Sequence, residues 1–189
     1  GRDEAGFQMK EVAIEAGLGT QTKVHALGDG APWIYEKIET HFGLQAHYLI
    51  DYYHLCDYLD AACQAAFEDS ATALREQKKA LKTGKILGVI ETFKAKEEPK
   101  NIPHEQAPVR ALTRYMENRP GQFEYQKAIE QQLPIGSGKI ESSHRSLIQK
   151  RLKLPGAWWK KQHADRMIQL RTARANHKWD TYWKTLKRA

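Results

Sequence analysis

Three carboxylates in this chain stand where chemistry needs them: Asp29, Asp51 and Glu141. Glu141 lies in Pro134-Ile135-Gly136-Ser137-Gly138-Lys139-Ile140-Glu141-Ser142-Ser143-His144-Arg145, one acid opening an otherwise basic helix. The glycines and serine supply a tight turn and a helix cap. His144 and Arg145 follow Glu141 by three and four residues, within side-chain reach on a helix. Lys139 precedes it, and Lys150, Arg151 and Lys153 come after. A carboxylate among cations is a poor anion ligand unless it holds a metal that the anion also touches. An acid in a first helical turn also suits the macrodipole with no further role. Asp29 lies in Gly28-Asp29-Gly30-Ala31-Pro32-Trp33. Asp-Gly is a favoured turn pair, and the same residues read as a metal-ligand carboxylate with flanking glycines leaving room for a phosphate. Asp51 is either a ligand of the same kind or the cap of the helix that follows it.

The elements that must position these acids are legible in the hydropathy pattern. Asp3 to about Ala16 reads as an amphipathic helix with Phe7, Val12 and Ala13 near one stripe. Lys23 to Gly28 reads as a strand ending at Asp29, Pro32 to Phe42 as a helix stopped by Gly43, and His47 to Ile50 as a strand delivering Asp51. The interval between the strands fits a parallel crossover, so residues 23–51 form a βαβ unit. Ligands of open α/β sheets gather at the edge where both aspartates emerge. Helices follow at Tyr53–Phe67, Ala71–Leu81 and Lys85–Phe93, then an exposed linker from Lys94 to Pro108. Helices at Val109–Asn118 and Phe123–Gln132 lead into the turn before Glu141. There Ile140, Leu147, Ile148 and Leu152 recur at helical spacing, so one face packs on a core. Pro155 and Gly156 break that helix, and Gln162–Asn176 and a short aromatic helix around Trp179, Tyr182 and Trp183 complete the chain. The fold class is α/β and mostly helical.

Charge is unevenly placed. The net charge is +7, yet residues 139–189 hold 14 of the 30 Lys and Arg and 3 of the 23 Asp and Glu. A basic segment of that density favours a polyanion such as nucleic acid, although a solvated basic surface has the same composition. Trp158-Trp159-Lys160-Lys161 interleaves stacking faces with cations, a pattern suited to DNA or RNA, or else to tryptophans packed in a core. Two cysteines, Cys56 and Cys63, are too few for a disulfide scaffold and point to a reducing compartment. No secretory h-region or membrane-crossing apolar run appears, so a soluble cytoplasmic protein is expected, without a membrane partner. Two metal readings compete. Asp51-x-x-His54 and Glu141-x-x-His144 resemble the carboxylate/histidine pairs of di-iron bundles. Cys56 and Cys63 with His54 contain zinc-ligand types, although two cysteines on one helix face are more often packed thiols.

Three blocks resemble a known family: Gly28 to Ile34, Tyr48 to His54, and Leu133 to Arg145 continued by Gln149 to Lys153. They are similar to the blocks of bacterial insertion-sequence transposases of the DDE type, of the Kra-type group, and the tail from Leu170 through Trp183 resembles that family's C-terminal end. The resemblance implies a bacterial cytoplasmic DNA transposase acting on transposon ends and target DNA, with self-association into a homo-oligomer. It implies a partial RNase H-like core in residues 1–55, an all-helical insertion in 56–133, and an acid-bearing helix with basic C-terminal helices in 134–189. It makes Asp29 and Glu141 catalytic ligands of a two-metal Mg²⁺ or Mn²⁺ site, with Asp51 as a further candidate. Lys139, His144, Arg145, Lys150, Arg151, Lys153, Trp158, Trp159, Lys160 and Lys161 become DNA contacts. The family's first catalytic aspartate lies on an earlier strand, so this chain is expected to correspond to the C-terminal part of such an enzyme. The alternative is a non-catalytic DNA-binding remnant that keeps the basic surface.

Overall fold

The computed structural model describes residues 1–186. The chain is mostly helical, with one small parallel sheet, and it divides into two compact units, Gly1–Ser137 and the residues from Gly138 onward.

The first unit opens with α1 (Arg2–Glu15), followed by β1 (Val24–Gly28), α2 (Pro32–Phe42) and β2 (Ala46–Ile50). The strands pair in parallel, with Val24 opposite Ala46 and Gly28 opposite Ile50. The expected βαβ unit is therefore present, and Asp29 and Asp51 both follow the C-terminal ends of their strands. Pro32 sits in the first turn of α2, where its missing N–H costs nothing. α1 departs from the expected stripe. Phe7 and Val12 are 60% and 64% exposed, whereas Gly6 is buried and Met9 and Ala13 pack against the core. The reason is close approach: a Cβ at residue 6 would fall on the His41 ring of α2, so the helix docks through its smallest residue. Asp3 holds the same contact from outside through an ion pair to Lys37 at 2.6 Å.

Beyond β2 come α3 (Tyr52–Ala66), α4 (Ser70–Lys82), α5 (Ile86–Lys94), α6 (Pro108–Glu117) and α7 (Tyr125–Glu130). Leu55, Leu59, Leu81, Phe93, Leu112 and Tyr125 are fully buried, and they join Leu49 and Ile50 of the sheet in a single apolar core. Burying such side chains is worth about 1.5–3 kcal/mol each. Cys56 and Cys63, one heptad apart on α3, are buried free thiols. Burial raises both, Cys63 to about 11.

The segment expected as an exposed linker, Lys94 to Pro108, is more structured than its composition implies. Glu98 accepts the backbone N–H groups of Val109 and Arg110, both at 2.9 Å, and so caps α6 from outside the helix. The Arg110 guanidinium returns to the carbonyls of Pro99 at 2.9 Å and Ile102 at 2.5 Å. Burial opposes ionisation of Glu98, and these N–H donors outweigh it, holding the carboxyl below its ordinary range.

The second unit holds α8 (Gly138–Ser143), a π-helical stretch (His144–Gln149), α9 (Lys150–Leu152), α10 (Lys161–Ala175) and α11 (Trp179–Leu186). The expected regular helix from Ile140 to Leu152 is interrupted by the π turn, in which the Lys150 N–H reaches back five residues to the Arg145 carbonyl. The extra residue per turn rotates the face. Ile140 is 62% exposed, whereas Leu147, Ile148 and Leu152 are half-buried. Arg171 of α10 donates to the carbonyls of Leu147 at 2.8 Å and Ser146 at 2.5 Å, tying α10 to the π stretch. Trp179, Tyr182 and Trp183 of α11 pack edge to face.

Candidate functional site

Asp29 leaves the end of β1 with its side chain exposed. Its Oδ1 accepts the Ala31 N–H at 3.0 Å, the Asx turn that the Asp-Gly pair announces. Its Oδ2 has no hydrogen-bond partner among the described residues. The loop that carries it is tied down on its other side. The Tyr115 hydroxyl donates to the Asp29 carbonyl at 2.9 Å. Arg119 donates from Nε and Nη2 to the Gly30 carbonyl at 3.1 and 3.0 Å, and from Nη1 to the Tyr115 carbonyl at 3.0 Å. The guanidinium lies 4.0 Å over the Tyr115 ring. The Gly30 N–H reaches the Tyr48 hydroxyl at 3.3 Å. Gly30 has φ +82°, and a Cβ there would meet the Tyr115 hydroxyl. Burial raises the Tyr48 and Tyr115 hydroxyls above the ordinary tyrosine range.

Tyr48, Tyr115 and Arg119 are positioning residues that no sequence motif announced. Tyr115 and Arg119 lie 86 and 89 residues from the loop they hold. The one local hint is their i, i+4 spacing, which places a guanidinium over a phenol ring when the chain is helical.

Asp51 is built differently. It is 5% exposed and starts α3, accepting the Tyr53 N–H at 2.7 Å and the His54 N–H at 3.1 Å on Oδ1. Its Oδ2 accepts the Ser137 N–H at 2.5 Å, and the Ser137 hydroxyl is a further donor to this carboxylate. Burial raises the Asp51 pKa, but the Ser137 hydroxyl and the three N–H donors outweigh it, and the net shift is downward. A carboxylate has about four lone-pair sites, and four donors address this one.

Those contacts dock the segment Pro134 to Ser137 beside the sheet. The Tyr52 N–H donates to the Ile135 carbonyl at 2.9 Å, and His25 Nε2 lies 2.7 Å from the Pro134 carbonyl. Gly136 sits over the Tyr53 ring, where a Cβ would come within 2.7 Å of two ring carbons. The Gly-Ser pair before Glu141 therefore serves close approach to Tyr53 and holds the carboxylate that caps α3, in addition to turning the chain.

Asp29 and Asp51 thus emerge at one edge of the sheet, where the Asp51 N–H continues the ladder to the Gly28 carbonyl at 2.7 Å. Glu141 belongs to the second unit, exposed in the first turn of α8. Lys139, Arg145, Lys150, Arg151, Lys153, Lys160 and Lys161 are exposed in the same unit. The exposed His144 is held by its own helix. The Gln149 amide lies 3.0 Å from its Nδ1, a pairing at i, i+5 that the π turn permits. With the amide NH₂ donating, the neutral ring carries its proton on Nε2, where it donates outward. Trp158 is exposed and Trp159 half-buried.

The two alternative metal readings meet a different geometry. The His54 ring packs edge-on against Tyr58 and Tyr115, while only its backbone N–H meets Asp51. Cys56 and Cys63 are packed thiols in the core. Among the described residues there is no group of three or more His, Cys, Asp or Glu placed to hold a metal ion. No helix among them is long and apolar enough to cross a membrane.

Compared with known proteins, the chain belongs to the uncharacterised protein family UPF0236, matched over residues 7–184. No curated protein and no solved structure matches it.

Proposed function

We propose that this chain carries catalytic residues of a DDE-type DNA transposase, a metal-dependent enzyme that cuts and transfers DNA strands. In this reading the βαβ unit is part of an RNase H-like core, and Asp29 and Glu141 are two of its metal-holding carboxylates. The single observation that carries it is Asp29: an exposed carboxylate at the C-terminal edge of a parallel sheet, one oxygen unpartnered, on a loop held by Tyr48, Tyr115 and Arg119. Asp29 and Glu141 would offer carboxylate oxygens to a hard divalent cation such as Mg²⁺ or Mn²⁺, which needs few protein ligands and takes phosphate oxygens for the rest. A cation held by these carboxylates would supply Lewis-acid activation of the attacking and leaving oxygens of a phosphodiester.

The protein's own groups do the rest. Lys139, Arg145, Lys150, Arg151 and Lys153 hold backbone phosphates, and His144 donates through Nε2–H to a phosphate oxygen. Tyr115 and Arg119 keep the Asp29 loop from moving when charge gathers beside it. Asp51 acts through Ser137 and the start of α3, as a positioning residue. Its saturated carboxylate also favours the second reading, a DNA-binding chain without catalysis.

Nicking of a supercoiled plasmid or a transposon-end duplex in Mn²⁺, alone and with the family's upstream strand segment added in trans, tests the proposal. Cleavage lost in both Asp29→Asn and Glu141→Gln, with DNA affinity kept, supports the catalytic reading. Salt-sensitive DNA binding with no cleavage under either condition supports the second.

A further inference from the structure

The two adjacent tryptophans have opposite fates. Trp159 is half-buried, with its Nε1 enclosed and without a hydrogen-bond partner among the described residues. Trp158 is 97% exposed. Both lie in the irregular segment 153–160 between α9 and α10. This loop is shaped locally: the Ala157 N–H closes a turn on the Leu154 carbonyl at 3.1 Å, and Gly156 adopts φ +75°. At its far end the Lys160 carbonyl accepts the N–H groups of His163 and Ala164 at 2.9 and 3.0 Å, opening α10. The inward tryptophan and the two turns anchor the loop, and the outward one projects from it.

The surroundings of Trp158 choose its partner. Lys150, Arg151 and Lys153 precede it and Lys160 and Lys161 follow; all five are exposed. No ion pair among the described residues neutralises any of them. An apolar protein partner would have to bury those charges, whereas a nucleic acid neutralises them with phosphates and releases its counterions. An indole left in water within such a patch is a stacking surface. Inside a duplex the faces of each base are covered by its neighbours. An indole from outside reaches a base face only where a neighbour is missing: at an end, an overhang or a melted step.

We propose that Trp158 is a stacking platform for an unpaired DNA base, held over it by the cations on either side of the loop. This rests on the DNA-binding part of the reading above and adds which DNA the second unit prefers. It is independent of the metal site. Lys160 and Lys161 bind the phosphates flanking the unpaired base, and Trp159 is the anchor that keeps the loop in place.

Fluorescence anisotropy on two DNAs of one sequence tests it, one a blunt duplex and the other carrying a three-nucleotide overhang. The full chain is compared with Trp158→Ala, Trp158→Phe and Lys160→Gln/Lys161→Gln. Trp158→Ala is expected to weaken overhang binding about tenfold, the usual worth of one base on one aromatic, and duplex binding less than about twofold. Trp158→Phe keeps most of the overhang preference, and tryptophan quenching by the overhang disappears with it. Lys160→Gln/Lys161→Gln weakens both DNAs alike. Equal affinity for the two DNAs, unchanged by Trp158→Ala, overturns the stacking role and leaves DNA binding intact. An equal loss on both DNAs in Trp158→Ala overturns it in favour of general packing. Failure of the unsubstituted chain to bind either DNA overturns the DNA reading itself.

Discussion

Replacing Asp51 separates a positioning role from a ligand role. In Asp51→Ala, α3 loses its cap, which accepts the N–H groups of Tyr53 and His54; an N-cap of this kind is worth about 1 kcal/mol. The Ser137 N–H and hydroxyl lose a charged acceptor as well, at about 1.5 kcal/mol for each bond. The expected loss is about 4 kcal/mol. Asp51→Asn keeps one acceptor oxygen for the cap but turns an amide NH₂ toward the Ser137 N–H, for a loss of about 2 kcal/mol. Urea unfolding followed by circular dichroism reads both, and thermal melting should fall by about 10 °C for the alanine variant. The pH dependence has a definite sign. Because the folded pKa of Asp51 is lowered, its contribution is complete above the unfolded value near 3.9 and vanishes as pH falls through the folded value. The gap between wild type and Asp51→Asn should be constant from about pH 5 to 8 and close below about pH 4. A loss under about 1 kcal/mol for Asp51→Ala would refute this positioning role and return Asp51 to the candidate metal ligands.

Three other outcomes follow from the same geometry. Gly30→Ala places a Cβ on the Tyr115 hydroxyl at a positive φ, so it should cost about 2–4 kcal/mol in urea unfolding. Cys63, a buried thiol raised to about 11, should react with iodoacetamide at pH 8 only as fast as the core opens. A burst of labelling in native buffer would contradict that burial. Neutralising Lys150, Arg151 and Lys153 together should lower the slope of log affinity for DNA against log salt by about 2–3. An unchanged slope would remove those residues from the DNA surface.

The sheet and its edge were legible because periodicity and punctuation agreed there. Gly28-Asp29-Gly30 and Pro32 mark the end of one element and the start of the next, and the structure puts β1, α2 and β2 within a residue or two of the expected ranges. The long helices after Asp51 were legible for the same reason. The α1 stripe was not, because the contact that orients the helix is made by Gly6, and hydropathy gives a residue without a side chain no weight. The clamp around Glu98 was hidden in a stretch whose prolines and charges read as solvated chain, yet its carboxylate and Arg110 make five backbone contacts. At the candidate site the acids were visible and their supports were not. Asp29 and Asp51 look alike in sequence, each an aspartate after a strand. Only tertiary neighbours distinguish them: Ser137 saturates Asp51, while Tyr115 and Arg119 hold the backbone of Asp29 and Gly30, and one Asp29 oxygen has no hydrogen-bond partner among the described residues. The π turn after Glu141 was likewise invisible, since Ile140, Leu147, Ile148 and Leu152 satisfy an α-helical pattern that the backbone does not follow.

If Asp29 and Glu141 share a metal ion, as proposed above, iron-directed backbone cleavage will reveal it. Fe²⁺ replaces Mg²⁺ in the full chain bound to DNA, ascorbate and peroxide generate hydroxyl radicals at the ion, and the cut positions are read by mass spectrometry. A shared ion gives cuts clustered near residue 29 and near residue 141 together, with both clusters suppressed by excess Mg²⁺ and both lost in either Asp29→Asn or Glu141→Gln. Cuts at one of the two positions alone, or clusters that survive the loss of the other carboxylate, would contradict it.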